Sequence, residues 1–253
     1  MYQLGRHVEQ SNAEAALWYR RSAEQGYAFA QSMLGQLYED GSGVPQEPAE
    51  ALRWYRQAAE QGHDDAQVKV GLMYEKGQGV PQDCAEALRW YQKAADKNNT
   101  FAQTRIGTIY LEGRGVLKDS FQAADWFRKA AEQGDAHAQA SLASLYQQGK
   151  GVPQNYAEAA RLYRKAADQG NALAQYHLGF MYAAGQGVLQ DYVQAHIWLN
   201  LAALQETSDA QRIASEARDT VAARMTAGQI AEAQQLAREW KPVVAPHLGA
   251  TKT

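Results

Sequence analysis

The chain has 253 residues and a formal net charge of −3, with a sequence pI near 6.1. Its apolar content suffices for a large buried core, and a mildly acidic balance without lysine or arginine runs excludes nucleic acid as the expected partner. No apolar run is long enough to span a bilayer, and the single cysteine, Cys84, excludes an internal disulfide framework.

The first residues, MYQLGRHVEQ, lack the apolar centre of a signal peptide. The expected compartment is the cytoplasm as the chain stands, or the periplasm or exterior if an N-terminal signal has been lost. Tyr2, Gly5 and Val8 align with Tyr38, Gly41 and Val44 further on. Residues 1–26 therefore read as an incomplete repeat that begins inside its first helix. Its second helix starts at about Asn12, after Ser11.

From residue 27 the sequence overlays itself at a shift of 36. Gly41 falls on Gly77, Gly113, Gly149 and Gly185, and Gly43 falls on Gly79, Gly115, Gly151 and Gly187. Trp18, Trp54, Trp90, Trp126 and Trp198 share one slot. A self-similar period of this length is the signature of a solenoid. Five whole repeats follow, at 27–62, 63–98, 99–134, 135–170 and 171–206.

Each repeat reads as two helices. The first, helix A, carries apolar residues at helical spacing, as with Ala66, Val70, Met73 and Tyr74, and ends at the Gly77 slot. A second glycine and a valine complete the turn. Helix B then opens on a capping signal: Ser11 with Glu14, Asp83 with Glu86, Asp119 with Gln122, Asn155 with Glu158, Asp191 with Gln194. These pairs resemble capping boxes. Glu47 with Glu50 is the weakest version, helped by Pro48 at the first helical position. Helix B stops at Gly26, Gly62, Gly134 and Gly170, and at Asn98 in one copy.

The loop GSGVPQ at 41–46 raises the question of a phosphate cradle, because glycine-rich turns before helices can bind anions. Five copies at fixed spacing, with no P-loop lysine and no preceding strand, assign the glycines to the scaffold instead.

The packing slots are regular too. Ala30, Ala66, Ala102, Ala138 and Ala174 recur, as do Tyr38, Tyr74, Tyr110, Tyr146 and Tyr182. Gly35, Gly71, Gly107 and Gly179 sit mid-helix, where glycine costs about 1 kcal/mol relative to alanine. Close approach of a neighbouring helix is the expected compensation. The aromatic stripe of helix B reads as core.

After IWLNLAA the pattern degrades. Residues 207–241 read as two capping helices, one with Ile213, Ala217, Val221 and Met225 on a face, the other opened by Thr226 and Gln229. Residues 242–253 read as a loose tail.

This pattern of small and large residues on paired helices resembles tetratricopeptide repeats, and Sel1-like repeats more closely. The residues that carry the resemblance are Ala174, Leu178, Gly179, Tyr182, Gly185, Gly187 and Val188, with Trp90, Tyr91, Lys93, Ala94 and Ala95 on helix B. The resemblance implies an all-α fold, a right-handed solenoid of helix-turn-helix repeats. It also implies a non-enzymatic scaffold that binds a peptide or helix of a partner protein on its concave face.

In tetratricopeptide-type superhelices helix A lines that face. Three rows of outward slots follow by analogy: Phe29, Asp65, Phe101, His137, Leu173; Ser32, Val68, Thr104, Ala140, Tyr176; and Gln36, Leu72, Thr108, Ser144, Phe180. The partner-binding residues expected from these rows are Phe29, Gln36, Asp65, Leu72, Phe101, Thr104, His137, Leu173, Tyr176 and Phe180. Glu39, Asp40 and Glu75 would make the N-terminal end acidic.

No catalytic, cofactor or metal site is expected. The six histidines occupy different slots and form no metal-spaced cluster. The alternative function is binding or hydrolysis of β-lactams, described for some Sel1-like proteins. Those proteins are cysteine-rich, which this chain is not. The expected partner is a protein or peptide. The incomplete first repeat would leave Ala15, Trp18 and Tyr19 short of packing and favour homodimerisation through the N-terminal end.

Overall fold

The computed structural model describes residues 11–204 and 208–243. The expectations for residues 1–10 and for most of the tail lie outside the described residues. Thirteen helices and no strand are present among those described. They are α1 (Asn12–Glu24), α2 (Ala28–Asp40), α3 (Pro48–Glu60), α4 (Asp64–Lys76), α5 (Cys84–Ala95), α6 (Thr100–Glu112), α7 (Ser120–Glu132), α8 (Ala136–Gln148), α9 (Tyr156–Asp168), α10 (Ala172–Ala184), α11 (Tyr192–Ala203), α12 (Ser208–Ala222) and α13 (Ala227–Glu239). The even helices α2 to α10 are A helices and the odd helices α1 to α11 are B helices. No helix among the described residues is long and apolar enough to cross a membrane.

Local chemistry sets these boundaries. Every A helix from α2 to α10 ends on a left-handed glycine, with φ between 66° and 74°. At the matching stop of the B helices, Asn98 takes φ 64° where the other copies use glycine. Asparagine tolerates that conformation because its short side chain bonds locally. The B helices open on side-chain caps: Asp83 Oδ1 accepts from the N–H groups of Ala85 and Glu86, at 3.0 and 2.9 Å. Asp119 repeats both bonds, and Asn155 and Asp191 make the second alone, to Glu158 and Gln194. Glu47 makes no side-chain cap, and Pro48 stands at the first helical position.

The full reciprocal box forms at Thr226 and Gln229. In the B helices the expected return bond is replaced. Glu86 instead accepts from Trp90 Nε1 at 3.0 Å and from Arg89 at 3.2 Å. Glu158 is likewise turned towards Arg161. A residue at N3 lies one turn before its i+3 and i+4 neighbours, so an arginine or indole there competes with the cap.

Helix pairing follows from the small residues of helix A. A Cβ built on Gly71 would lie 2.7 Å from Cε1 of the Tyr91 ring, and one on Gly35 would lie 2.8 Å from Cδ1 of Tyr55. The ring of helix B occupies the place of the absent side chain. The second loop glycine is a further close approach: a Cβ on Gly79, at φ 70°, would meet the backbone of Pro48 and Ala49 at about 2.5 Å. Each loop is thereby seated on the start of the B helix of the preceding repeat, and its glycines serve the packing.

The chain divides into two compact units, one up to Lys118 and one from Asp119. In the first, α1 to α6 pack in sequence, each on the next. Leu34, Leu52, Tyr55, Val70, Met73 and Trp90 form its core with the buried alanines. In the second, α7 to α12 pack in the same order, and α13 packs on α11.

The tryptophan slot is not uniform. Trp54, Trp90 and Trp198 are buried, Trp126 is half-buried and Trp18 is 55% exposed. Trp90 packs into the core cluster that holds Val70 and Met73 of α4 and donates to Glu86, with Lys93 Nζ 3.8 Å over its ring. Trp90→Ala is expected to cost about 3–5 kcal/mol. Chemical unfolding measures it, and a midpoint equal to that of the wild type would overturn this account of the core.

Candidate functional site

The outward face of each A helix is fixed at both ends. At the start, Asn99, Asp135 and Asn171 accept from the N–H groups of Ala102, Ala138 and Ala174 at 2.9, 2.7 and 2.9 Å. His63 Nδ1 caps Ala66 at 3.3 Å. Next to the buried alanine stands a glutamine in every copy: Gln31, Gln67, Gln103, Gln139 and Gln175, all buried. Gln67 Nε2 donates to the Ala59 carbonyl at 3.2 Å, and Gln31, Gln139 and Gln175 reach Ala23, Ala131 and Ala167. These carbonyls belong to the last turn of the preceding B helix, where the helix itself supplies no donor. Sequence reasoning passed over this glutamine. Its signal was available, as a polar side chain repeated beside an invariant alanine.

With alanine and glutamine facing inward, the residue before them faces out. Phe29, Asp65, Phe101, His137 and Leu173 are all exposed. Phe29 is 63% exposed, Phe101 44% and Leu173 60%. The other two rows are mixed. Ser32 and Ala140 are buried, because the second row leans towards the neighbouring helices. Val68, Thr104 and Tyr176 in that row are half-buried, as are Leu72, Thr108 and Ser144 in the third. Gln36 and Phe180 are exposed, Phe180 at 50%.

In the second unit Tyr176 and Phe180 lie one turn apart with ring centroids 6.5 Å from each other. His177 stands edge-on to Tyr176 and stacks on Tyr163, with centroids 5.0 Å apart and planes at 15°. Burial holds the Tyr163 hydroxyl at about 12 and pushes His177 below the ordinary histidine value.

The expected acidic end is corrected in part by the structure. Glu75 is 3% exposed. Its carboxylate accepts from the Tyr91 hydroxyl at 2.7 Å and from Arg105 Nε at 3.1 Å, and pairs with Arg114 at 2.8 Å. Arg105 Nη2 completes a two-pronged bond. Burial alone would raise the Glu75 pKa, but the bonds from Arg105 and Tyr91 and the charges of Arg105 and Arg114 outweigh it and hold it below the usual range. One repeat earlier Glu39 takes the Tyr55 hydroxyl at 2.7 Å and Lys69 at 2.8 Å. These two carboxylates are paired with neighbouring helices, while Asp40 and Asp65 remain exposed.

The family model described as Sel1 repeat matches residues 1–27, 28–63, 64–99, 100–135, 136–171 and 172–206. The chain belongs to the Sel1 repeat family. Two solved structures are similar to it. A Sel1 repeat protein from Oxalobacter formigenes is 29% identical, with a TM-score of 0.71, and covers 91% of this chain and 100% of its own. A protective antigen present in uropathogenic Escherichia coli strains, displaying an SLR fold, is 32% identical with a TM-score of 0.61. That match covers 94% of this chain, which spans 59% of the antigen's length. No curated protein matches the chain.

The fold class is thus that of the Sel1 solenoids, built from helix-turn-helix repeats. Sel1 repeats generally mediate protein–protein interaction and are typically non-catalytic. Among the described residues no three His, Cys, Asp or Glu side chains are grouped to hold a metal. Cys84 is a free thiol at the first turn of α5.

His196 departs from the Sel1 packing. It is 2% exposed in a slot that holds Leu52 and Leu88 in two copies and Ala16, Ala124 and Ala160 in the others, and its Nδ1 has no hydrogen-bond partner. Burial lowers its pKa, and Arg218 adds to the effect against a smaller pull from Asp219. The folded chain therefore binds this proton less readily than the unfolded chain. Stability is full above the ordinary histidine pKa of about 6.5 and is lost as the pH falls from there through the lower folded value. His196→Leu is expected to flatten the loss of stability between neutral and mildly acidic pH, by at most about 1.4 kcal/mol per pH unit. Urea unfolding at a series of pH values measures this. Equal slopes for both proteins would remove His196 as the source.

Proposed function

We propose that the protein is a scaffold that catalyses nothing and takes a peptide or helix of a partner protein on the face of its A helices, the concave face by analogy. The supporting observation is the exposed row. Phe29, Phe101, Leu173 and Phe180 present large apolar side chains that the core does not use. Asp65, His137 and Gln36 add polar contacts beside them, with Leu72, Thr104 and Tyr176 half-buried behind. Apolar and aromatic groups on a helix face, rimmed by polar side chains, suit capture of a peptide or helix. The partner is a protein or peptide and not a nucleic acid, in keeping with the chain's net negative charge.

Phe180→Asp and Leu173→Asp are the informative variants, since both side chains are at least half exposed. Tyr176→Asp is not, because Tyr176 packs against Ala202 and Ala214 and its loss would lower stability as well. Capture of the partner from the native organism is expected to fail with Phe180→Asp at an unchanged melting temperature. It should survive Arg53→Glu, on an exposed part of α3. Normal capture by Phe180→Asp would reject the A-helix face, and turnover of a chromogenic β-lactam would replace the scaffold by an enzyme.

Of the three residues expected to be short of packing, Ala15 is buried and Tyr19 half-buried, whereas Trp18 is 55% exposed beside Leu17 at 59%. This pair is the surface through which we propose that two copies associate. Sedimentation at rising concentration is expected to show a dimer that Trp18→Glu dissolves. A monomer throughout would end the proposal.

A further inference from the structure

The A-helix phase continues past the last whole repeat. Helix α12 follows α10 by 36 residues, so Ala214 falls in the slot of Leu34, Val70, Ile106, Leu142 and Leu178. Ala217 falls in the slot of Leu37, Met73, Ile109, Leu145 and Met181. Those ten side chains are buried core in the inner repeats. On α12 both are cut back to a methyl group.

Hollows border both positions, Ala214 at the buried edge of one and the half-buried Ala217 in the wall of the other. A furrow runs between α10 and α12 with α11 as its floor, and it holds two hollows, each of about 340 Å3. The first lies among Leu173, Tyr176, Ala202, Ile213 and Ala214. The second lies among Phe180, Leu199, Ala217, Val221 and Arg224. Tyr176 packs against both flanking clusters and lines the first hollow. Nothing from α13 closes them. That helix packs on α11, where Trp240 meets Trp198 edge-on at 6.3 Å, and the following Val243 N–H bonds the Asp168 carbonyl at 2.7 Å.

The rim is charged at one end. Arg224 contacts the hydroxyl and ring of Tyr192, and among the described residues it is in no ion pair. Along α12 the hollows are centred near positions 213 and 220, seven residues apart. At 1.5 Å of rise per residue this is about 10 Å, or two helical turns. An amphipathic helix presents side chains at i and i+7 with that separation.

We propose that this furrow receives one amphipathic helix of a partner protein, with large apolar side chains at i and i+7 in the two hollows and a carboxylate one turn beyond the second, paired with Arg224. The proposal rests on the A-helix reading above and specifies the partner's chemistry. Charge complementarity chooses an acidic partner helix over a basic one. The alanines at 214 and 217 line the hollows, so larger side chains there would intrude on the partner's.

The test uses the whole chain and a fluorescein-labelled Ala/Gln-rich helical peptide with Leu at i and i+7 and Glu at i+11, followed by fluorescence polarisation. Peptides lacking one Leu, or carrying Lys for Glu, are expected to bind at least about tenfold more weakly. Ala217→Met, which restores the residue of the α10 slot, should abolish binding while keeping or raising the melting temperature. Ala214→Leu should do the same. Should either overpack and unfold the protein, Arg224→Glu remains, a surface change expected to reverse the preference between the Glu and Lys peptides. Absence of binding, binding indifferent to Ala217→Met in a folded variant, or an unreversed preference with Arg224→Glu would each overturn the proposal. Native-partner capture separates the two readings. If Phe180→Asp abolishes it while Ala217→Met and Arg224→Glu do not, the furrow fails and the A-helix face stands. If Phe180→Asp captures normally, both fail.

Discussion

In the first two whole repeats the packing depends on one contact, an aromatic ring of helix B laid against a glycine of helix A; in the last, Leu199 takes the ring's place against Gly179. At Gly71 the Tyr91 ring comes so near that no side chain could intervene. Glycine in the helix costs about 1 kcal/mol. Full burial of the ring contributes about 2–3 kcal/mol, so the exchange favours the close pair. The same approach fixes where the ring's far end lies. Tyr91 and Tyr55 carry their hydroxyls to Glu75 and Glu39 at the ends of the A helices, and those carboxylates then gather Arg105, Arg114 and Lys69. In the next copy the slots hold Phe127 and Leu111, so the hydroxyl and the carboxylate disappear together. A buried carboxylate without its donors would cost several kcal/mol, which is reason enough for the paired loss.

What the sequence made legible is local. The left-handed stops, the caps at Asp83 and Asp119, the period and the small residues opposite large ones all depend on neighbours within a turn or on the repeat itself. The first outward row was legible for the same reason, because the invariant alanine beside it fixes the helix rotation. What was not legible lies across repeats. Glu75 reads as an exposed acid at a helix end, and only the placement of Arg105, thirty residues on, shows that it is buried and neutralised. Ser32 and Ala140 occupy outward slots by count, yet the lean of the second row towards neighbouring helices buries them. The return half of the capping boxes failed on competition, as Arg89, Trp90 and Arg161 are better placed to reach the glutamates.

The last repeat shows how a solenoid can end and still offer a surface. In the inner copies a buried glutamine ties each A helix to the B helix before it, and two large side chains fill the space beneath. In α12 the corresponding Gln211 is exposed, and the two large side chains are alanines. The helix is held by other means: Arg218 bonds Asn200 on α11 at 3.2 Å, and Val221 packs with Leu199 and Ala195. Relaxing the slots that build the scaffold therefore leaves helix α12 in register but its furrow unfilled. A variable outward residue changes what a surface displays, whereas a truncated core residue changes what it can admit. At α12 the second kind of change is tolerated because the helix that follows, α13, packs on α11.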